Sequence, residues 1–65
     1  MQGQVRWFNA VKRYGFITLS DGRDCFVHQH SVEDYRALRD GDRVEFVVET
    51  TAKGLAAVNV RVITQ

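Results

Sequence analysis

Two short runs of alternating side chains, separated by a turn, constrain the fold of this chain more than any other feature. Residues 14–20 alternate rings and hydroxyls with glycine and aliphatic side chains. Residues 25–28 repeat the pattern, with Phe26 and His28 on one face and Cys25 and Val27 on the other. Asp21-Gly22 between them is a strong turn signal. Because side chains alternate between the two faces of a strand, we predict an antiparallel hairpin with one aliphatic and one aromatic face.

The length of the chain limits how its core can be stabilised. With 65 residues it should form a single domain, 1–65, near the lower limit for a core without metal or disulfide help. One cysteine excludes an internal disulfide, and two nearby histidines supply too few ligands for a structural zinc site. Cys25 lies on the same face of its predicted strand as Val27, which assigns it to the core. We therefore expect neither a metal nor a small-molecule cofactor.

The sequence also argues against membrane-bound, secreted and catalytic proteins. The N-terminus does not resemble a signal peptide, and no apolar run approaches the roughly 20 residues of a membrane span. We expect a cytoplasmic protein without a membrane partner. The acids, histidines and cysteine do not converge with an orienting partner, so enzymatic activity is not expected.

Three further strands are predicted from the apolar pattern, at residues 3–10, 42–51 and 56–63. In the strand predicted at residues 3–10, Val5 and Trp7 are two residues apart and would lie on the same face. Regular pleating therefore cannot bury Val5 and also expose Trp7. We expect a bulge between them. In the last, Val58, Val60 and Val62 are predicted to share a face.

Residues 30–41 are too polar and irregular for a strand. Ser31 marks the start of one helical turn, with Val32 folded back into the core, and the rest is predicted as a long loop. This loop is a candidate hinge for strand exchange, so a monomer and a strand-exchanged dimer are both open.

Five short strands without a long helix or a proline favour a small closed barrel, because closure removes exposed sheet edges. We predict an all-β, five-stranded antiparallel barrel of the oligonucleotide-binding (OB) type. An SH3-like barrel is the main rival architecture.

The second face of the hairpin has a use outside the core. Tyr14, Phe16, Phe26 and His28 cannot all serve a second core in so small a domain. Positive charge lies beside them: residues 1–30 hold four bases against two acids, a net charge of +2, whereas residues 31–65 hold five against six, a net charge of −1. Rings beside basic residues are typical of a surface that stacks bases and attracts a polyanion.

Five runs of residues occur in the order and spacing of a known family. They are Val5-Arg6-Trp7-Phe8-Asn9, Lys12-Arg13-Tyr14-Gly15-Phe16-Ile17, Phe26-Val27-His28, Lys53-Gly54 and Ala57-Val58-Asn59-Val60. Through these runs essentially the whole chain resembles the cold-shock domain of bacterial cold shock proteins, with some positions similar to Y-box domains.

The resemblance implies a five-stranded OB barrel that binds single-stranded RNA and DNA with loose sequence preference. It also implies an RNA chaperone that loosens secondary structure, and some members prevent transcription termination. The predicted interface comprises Arg6, Trp7, Lys12, Arg13, Tyr14, Phe16, Phe26, His28, Gln29, Tyr35 and Lys53. Periodicity alone indicates four of the rings, whereas Trp7 and Tyr35 depend on the family.

Four residues depart from the family pattern. Arg13 replaces a glycine, and a positive φ there would cost an arginine on the order of 1 kcal/mol. Gln29 replaces an aromatic residue, exchanging a stacking surface for a polar group able to meet a base edge. His30 replaces a small hydroxyl residue, and Leu55 replaces a proline.

A different class of function is a protein-interaction module. Aromatic grooves also receive proline-rich peptides, and the same face would serve such a ligand. The basic residues among the rings argue against this alternative.

Overall fold

In a computed structural model that describes residues 1–63, apart from the side chain of Asp34, the chain folds into a closed five-stranded barrel. The strands are β1 (Gln2–Asn9), β2 (Tyr14–Leu19), β3 (Asp24–His28), β4 (Arg43–Thr51) and β5 (Gly54–Val62). They are hydrogen-bonded in the order β1-β2-β3-β5-β4, and β4 returns to β1. The pairs are antiparallel except for the short parallel junction of β3 with β5. The predicted OB barrel is confirmed.

Apolar side chains from the inward faces of all five strands and from the long loop fill the interior. The buried set is Val5, Ile17, Leu19, Cys25, Val27, Val32, Leu38, Val44, Phe46, Ala57 and Val60. Odd-numbered positions of β2 and β3 are buried as predicted, which turns the even-numbered rings outward. Burial of each large apolar side chain contributes roughly 1.5–3 kcal/mol.

Cys25 belongs to this interior. Its side chain is fully buried, and burial raises the pKa of its thiol above the ordinary value. A protonated, inaccessible thiol behaves as a small hydrophobic group and not as a nucleophile.

A bulge in β1 resolves the conflict between Val5 and Trp7. Val5 pairs with Ile17 and Trp7 pairs with Phe16, so Arg6 is the extra residue in β1. As a result Val5 is 2% exposed and Trp7 is 37% exposed. The predicted distortion is confirmed, and it is what brings the indole to the outer face.

Gly15 allows β2 to approach the bulge. A Cβ atom at this position would lie 2.2 Å from the backbone oxygen of Trp7 and 2.7 Å from the Cα atom of Phe8. Both neighbours are backbone atoms, so neither can move aside without disrupting the pairing. Glycine is therefore required by close approach of two strands.

The long loop forms hydrogen bonds with the backbone of β1 beyond the short pairing of β1 with β4. The backbone N–H of Gly41 donates to the oxygen of Val5, and the N–H of Val5 donates to the oxygen of Asp42, both at 2.8 Å. The N–H of Phe8 donates to the Asp40 carboxylate at 3.1 Å. The loop thus continues the barrel wall where the sheet stops.

Two short 3₁₀ turns, Gln29–Ser31 and Glu33–Tyr35, begin this loop. Val32 lies between them and is buried, as predicted, and Leu38 fills a second core position that the sequence analysis did not identify. Within residues 1–63, no helix is long and apolar enough to cross a membrane.

Strand β5 changes phase at Asn59, so the prediction that Val58, Val60 and Val62 share one face is wrong for Val58, whereas Val60 and Val62 both pack into the core. Asn59 has a φ of 53°, and the register with β4 shifts there. Ala57 and Val60 are therefore the buried residues, whereas Val58 lines a surface cleft beside the loop. Asparagine tolerates the left-handed conformation better than most residues, so it can occupy this bulge at low cost.

Arg13 also lies in the left-handed region, with a φ of 66°. Its N–H donates to the Asn9 oxygen at 2.7 Å, and its own oxygen accepts the N–H of Gln29 at 2.9 Å. This conformation joins the β1–β2 turn to the end of β3. The positive φ anticipated at this position is present, and a side chain there carries a steric cost.

Replacing Arg13 with glycine should therefore stabilise the fold. We expect the free energy of unfolding to rise by about 0.5–1 kcal/mol, after allowing for the greater freedom of glycine in the unfolded chain. Urea denaturation measures this difference. Arg13→Ala is the matched control, because it removes the charge but keeps a Cβ atom, and it should give no such gain. Destabilisation by Arg13→Gly would show that the conformation is not strained.

Candidate nucleic-acid interface

Two neighbouring groups of rings, here together called the ring array, cover the outer face of β1–β3 and the adjoining loop, and the pairing of Tyr14 with His28 places them side by side. Its members are Trp7, Tyr14, Phe16, Phe26, His28, His30 and Tyr35. The ring centroids of Trp7 and Phe16 lie 5.4 Å apart. Three further pairs, Trp7–Tyr14, Tyr14–Phe26 and Phe16–Phe26, each lie 5.8 Å apart.

The register of the hairpin creates most of this array. Phe16 lies opposite Phe26, and Tyr14 lies opposite His28. Side chains directly opposite on antiparallel strands have Cβ atoms about 4.5–5.5 Å apart, which brings the rings of Phe16 and Phe26 into contact. A shift of one residue in this pairing would place the rings in the interior and the aliphatic side chains in water.

The rings are accessible to a ligand. Trp7 and Phe26 are each 37% exposed and Tyr35 is 68% exposed, whereas Tyr14, Phe16 and His28 are half-buried by their neighbours. The planes of these contacting rings are tilted or edge-on to one another, so the rings do not stack face to face. A contiguous exposed aromatic surface on a small domain indicates a binding site.

Arg6, the bulge residue, lies beside the rings in an ion pair. Its Nη1 donates to the Asp24 carboxylate at 2.6 Å, and the Thr18 hydroxyl donates to the same carboxylate at 3.3 Å. Both charged side chains are solvent-exposed, and such pairs contribute about 0–1 kcal/mol. Arg6 can therefore exchange the carboxylate for a phosphate at little cost.

Lys12 and Arg13 project from the β1–β2 turn. The Asn9 side-chain oxygen accepts the backbone N–H groups of Val11 at 2.9 Å and Lys12 at 3.0 Å. This ordered turn presents both cationic side chains to solvent next to Tyr14.

Lys53 lies across the rings from that turn. It lines a groove of about 600 Å³ whose walls include Phe16, Phe26 and Leu55. Lys53 and the β1–β2 turn therefore place positive charge on different borders of the ring array.

Gln29 is placed differently from the other predicted site residues. Its Nε2 atom donates to the backbone oxygen of Tyr35 at 2.6 Å, so the amide nitrogen is engaged within the loop. Contact between Gln29 and a base stays a prediction.

His30 belongs to the ring array although it was absent from the predicted interface. Its ring centroid is 4.8 Å from that of His28 and 6.0 Å from that of Tyr35. Strand periodicity gave no signal for it because β3 ends at His28. The only indication in the sequence was its departure from the family pattern.

Among the residues whose side chains the structure describes, no three histidines, cysteines or acids are grouped so that they could hold a metal ion.

Comparison with known proteins identifies relatives over nearly the full length. A family model described as the "Cold-shock" DNA-binding domain matches residues 1–63. Cold shock-like protein CspC of Bacillus cereus is 47% identical over 62 residues, which cover 92% of this chain and 95% of that protein. Cold shock-like protein CspC of Escherichia coli K12 is 46% identical over 66 residues, with 97% and 96% covered.

A comparison of the fold with solved structures also finds a relative. A solved structure of Drosophila Unr matches with a TM-score of 0.79 at 25% identity, covering 97% of this chain but 26% of that longer one.

The outer face of the hairpin and the barrel core should respond differently to the truncation of a phenylalanine. Phe16→Ala removes a half-buried outer ring and should lower the free energy of unfolding by about 1 kcal/mol, whereas Phe46→Ala removes a core ring and should cost about 3–5 kcal/mol. Urea denaturation of both variants measures the difference. Equal losses would place Phe16 energetically in the core.

Proposed function

This chain belongs to the cold-shock domain family of nucleic-acid-binding proteins, and on that premise we propose that its ring array binds single-stranded RNA and DNA. The observation that carries the proposal is the accessible ring array with cationic side chains on its borders. Trp7, Tyr14, Phe16, Phe26 and His28 stack bases, and Tyr35 adds a ring from the loop.

Stacking explains why the proposed binding tolerates any sequence and why it is restricted to single strands. Every base has a π-face, so the rings accept any sequence, and each stacked base contributes roughly 1–3 kcal/mol. Bases in a duplex already stack on one another and do not present their faces. The array therefore discriminates between open and paired strands, not between sequences.

The basic residues contact phosphates. Arg6, Lys12, Arg13 and Lys53 border the rings, and their charges position the backbone of the strand while the bases stack. Phosphate contacts release counterions, so this part of the affinity depends on salt.

Selective affinity is sufficient for RNA chaperone activity. A protein that binds the open strand and not the hairpin shifts the equilibrium toward the open strand by mass action, without ATP or catalysis. The same preference would oppose a terminator hairpin in a nascent transcript, which is the basis of antitermination. We place this activity in the cytoplasm, where nascent RNA is found in bacteria.

The direct test is a titration followed by Trp7 fluorescence. An oligothymidine should quench the indole, and Phe16→Ala should weaken binding by about 1–3 kcal/mol, the contribution of one stacked base. A blunt DNA duplex of the same length is the control and should bind much more weakly.

A proline-rich peptide is the competing ligand in the same assay. Quenching by the peptide, with no response to the oligothymidine, would contradict the proposal and identify a protein-interaction module instead.

Lys12 should contribute to the salt dependence. Lys12→Gln removes one phosphate contact, so the slope of log affinity against log salt should become shallower by about 0.7 for a single strand. Arg61→Gln is the matched control: Arg61 is exposed but pairs with Glu45 between β4 and β5, and its loss should leave the slope unchanged. An unchanged slope for Lys12→Gln would remove it from the phosphate contacts.

A further inference from the structure

The ring array does not end with the sheet. Beyond β3 it continues through His30, whose ring centroid lies 4.8 Å from that of His28 and 6.0 Å from that of Tyr35. The backbone N–H of His30 donates to Nδ1 of His28 at 3.2 Å, which orients the His28 ring against the first 3₁₀ turn. The first 3₁₀ turn therefore extends the aromatic surface into the loop.

Gln29 holds this extension in place. Its backbone N–H donates to the oxygen of Arg13 at 2.9 Å, and its side chain donates to the oxygen of Tyr35 at 2.6 Å. One residue thus links the β1–β2 turn, the end of β3 and the loop. Removal of the amide would free the Tyr35 end while leaving the strands unchanged.

The backbone of Tyr35 is held in a conformation that it would not adopt alone. Its φ is 53°, and a bulky side chain in the left-handed region persists only where surrounding contacts fix it. Those contacts are the Gln29 side chain and the Val32 oxygen, which accepts the Tyr35 N–H at 3.0 Å. Val32 is itself anchored in the core. The exposed ring is therefore positioned by buried structure.

A cleft of about 490 Å³ opens beside the rings of His30 and Tyr35. Its remaining wall includes the half-buried apolar Val58, together with Glu33 and Asn59. An amide can donate to and accept from the edge of a base, and a carboxylate accepts base N–H groups but repels phosphate. The cleft thus has the chemistry to receive a base, with the sugar-phosphate backbone kept outside.

We infer that His30 adds a second stacking ring beside Tyr35 and so completes a base-binding subsite at the loop end of the ring array, with Gln29 as the positioning residue of this subsite. The inference rests on the proposed function, because the subsite takes the next base of a strand already stacked on the array. It assigns a binding role to His30. Gln29 fixes the loop that carries Tyr35 through the hydrogen bond from its side chain to the Tyr35 backbone oxygen.

The test compares two strand lengths. Oligothymidines of about four and about eight nucleotides both lie within the range that one OB fold covers. His30→Ala should weaken binding of the longer strand by about 5- to 150-fold, the effect of losing one stacked base, and leave the shorter strand unaffected. Gln29→Ala should show the same dependence on length. His30→Phe should restore binding, and Val47→Ala, on the exposed face of β4, is the control.

The outcomes separate the subsite from the proposed function. If the wild-type chain binds both strands and His30→Ala binds the longer one equally well, the subsite is wrong and the proposed function stands. If His30→Ala weakens both lengths equally, the loss is a general disturbance and the subsite is again wrong. If the wild-type chain binds neither strand, both fail.

Discussion

The alternation of the β2–β3 hairpin is the constraint on which the rest of the structure depends. Ile17 and Val27 are fully buried, while Phe16 and Phe26 face outward from the same two strands. A chain of 65 residues has little apolar surface to spare, so losing the aliphatic face would remove the core. Stability and binding thus use opposite sides of one element, and one register sets both.

Local irregularities outside the β2–β3 strands and a glycine within β2 fit β1 and the neighbouring turn to that hairpin. The bulge at Arg6 brings Trp7 to the ring array while Val5 stays in the core, and Gly15 leaves room for the bulge. The positive φ of Arg13 turns the chain so that its oxygen meets Gln29. These irregular positions lie around the ring array, where they orient side chains that regular pleating would direct elsewhere.

The magnitudes favour rings over charge as the source of affinity. A stacked base contributes roughly 1–3 kcal/mol, whereas an exposed ion pair such as that of Arg6 with Asp24 contributes about 0–1 kcal/mol. The net charge is only +1, so no strong long-range field attracts a polyanion. In the proposed function, local cations beside the rings position the strand, and stacking retains it.

The features of the fold that could be predicted from the sequence are those set by the alternation of side chains along a strand. The hairpin faces and the β1 bulge were predictable because each rests on the parity of a few residues, as with Val5 and Trp7. The phase of β5 was not, because nothing in the local pattern marks Asn59 as a bulge. Gln29 and His30 lie outside the strands, where no period relates position to direction. Their contacts depend on how the loop folds back on the barrel.

The most direct measurement of the central claim is a map of backbone amide chemical shifts during titration with a short pyrimidine strand. The account predicts the largest changes along β2 and β3, at Phe16 and Phe26, and in the turn that carries Lys12. It predicts little change on the exposed part of β4 around Val47. Changes concentrated on β4 and β5, with Phe16 and Phe26 unaffected, would contradict it.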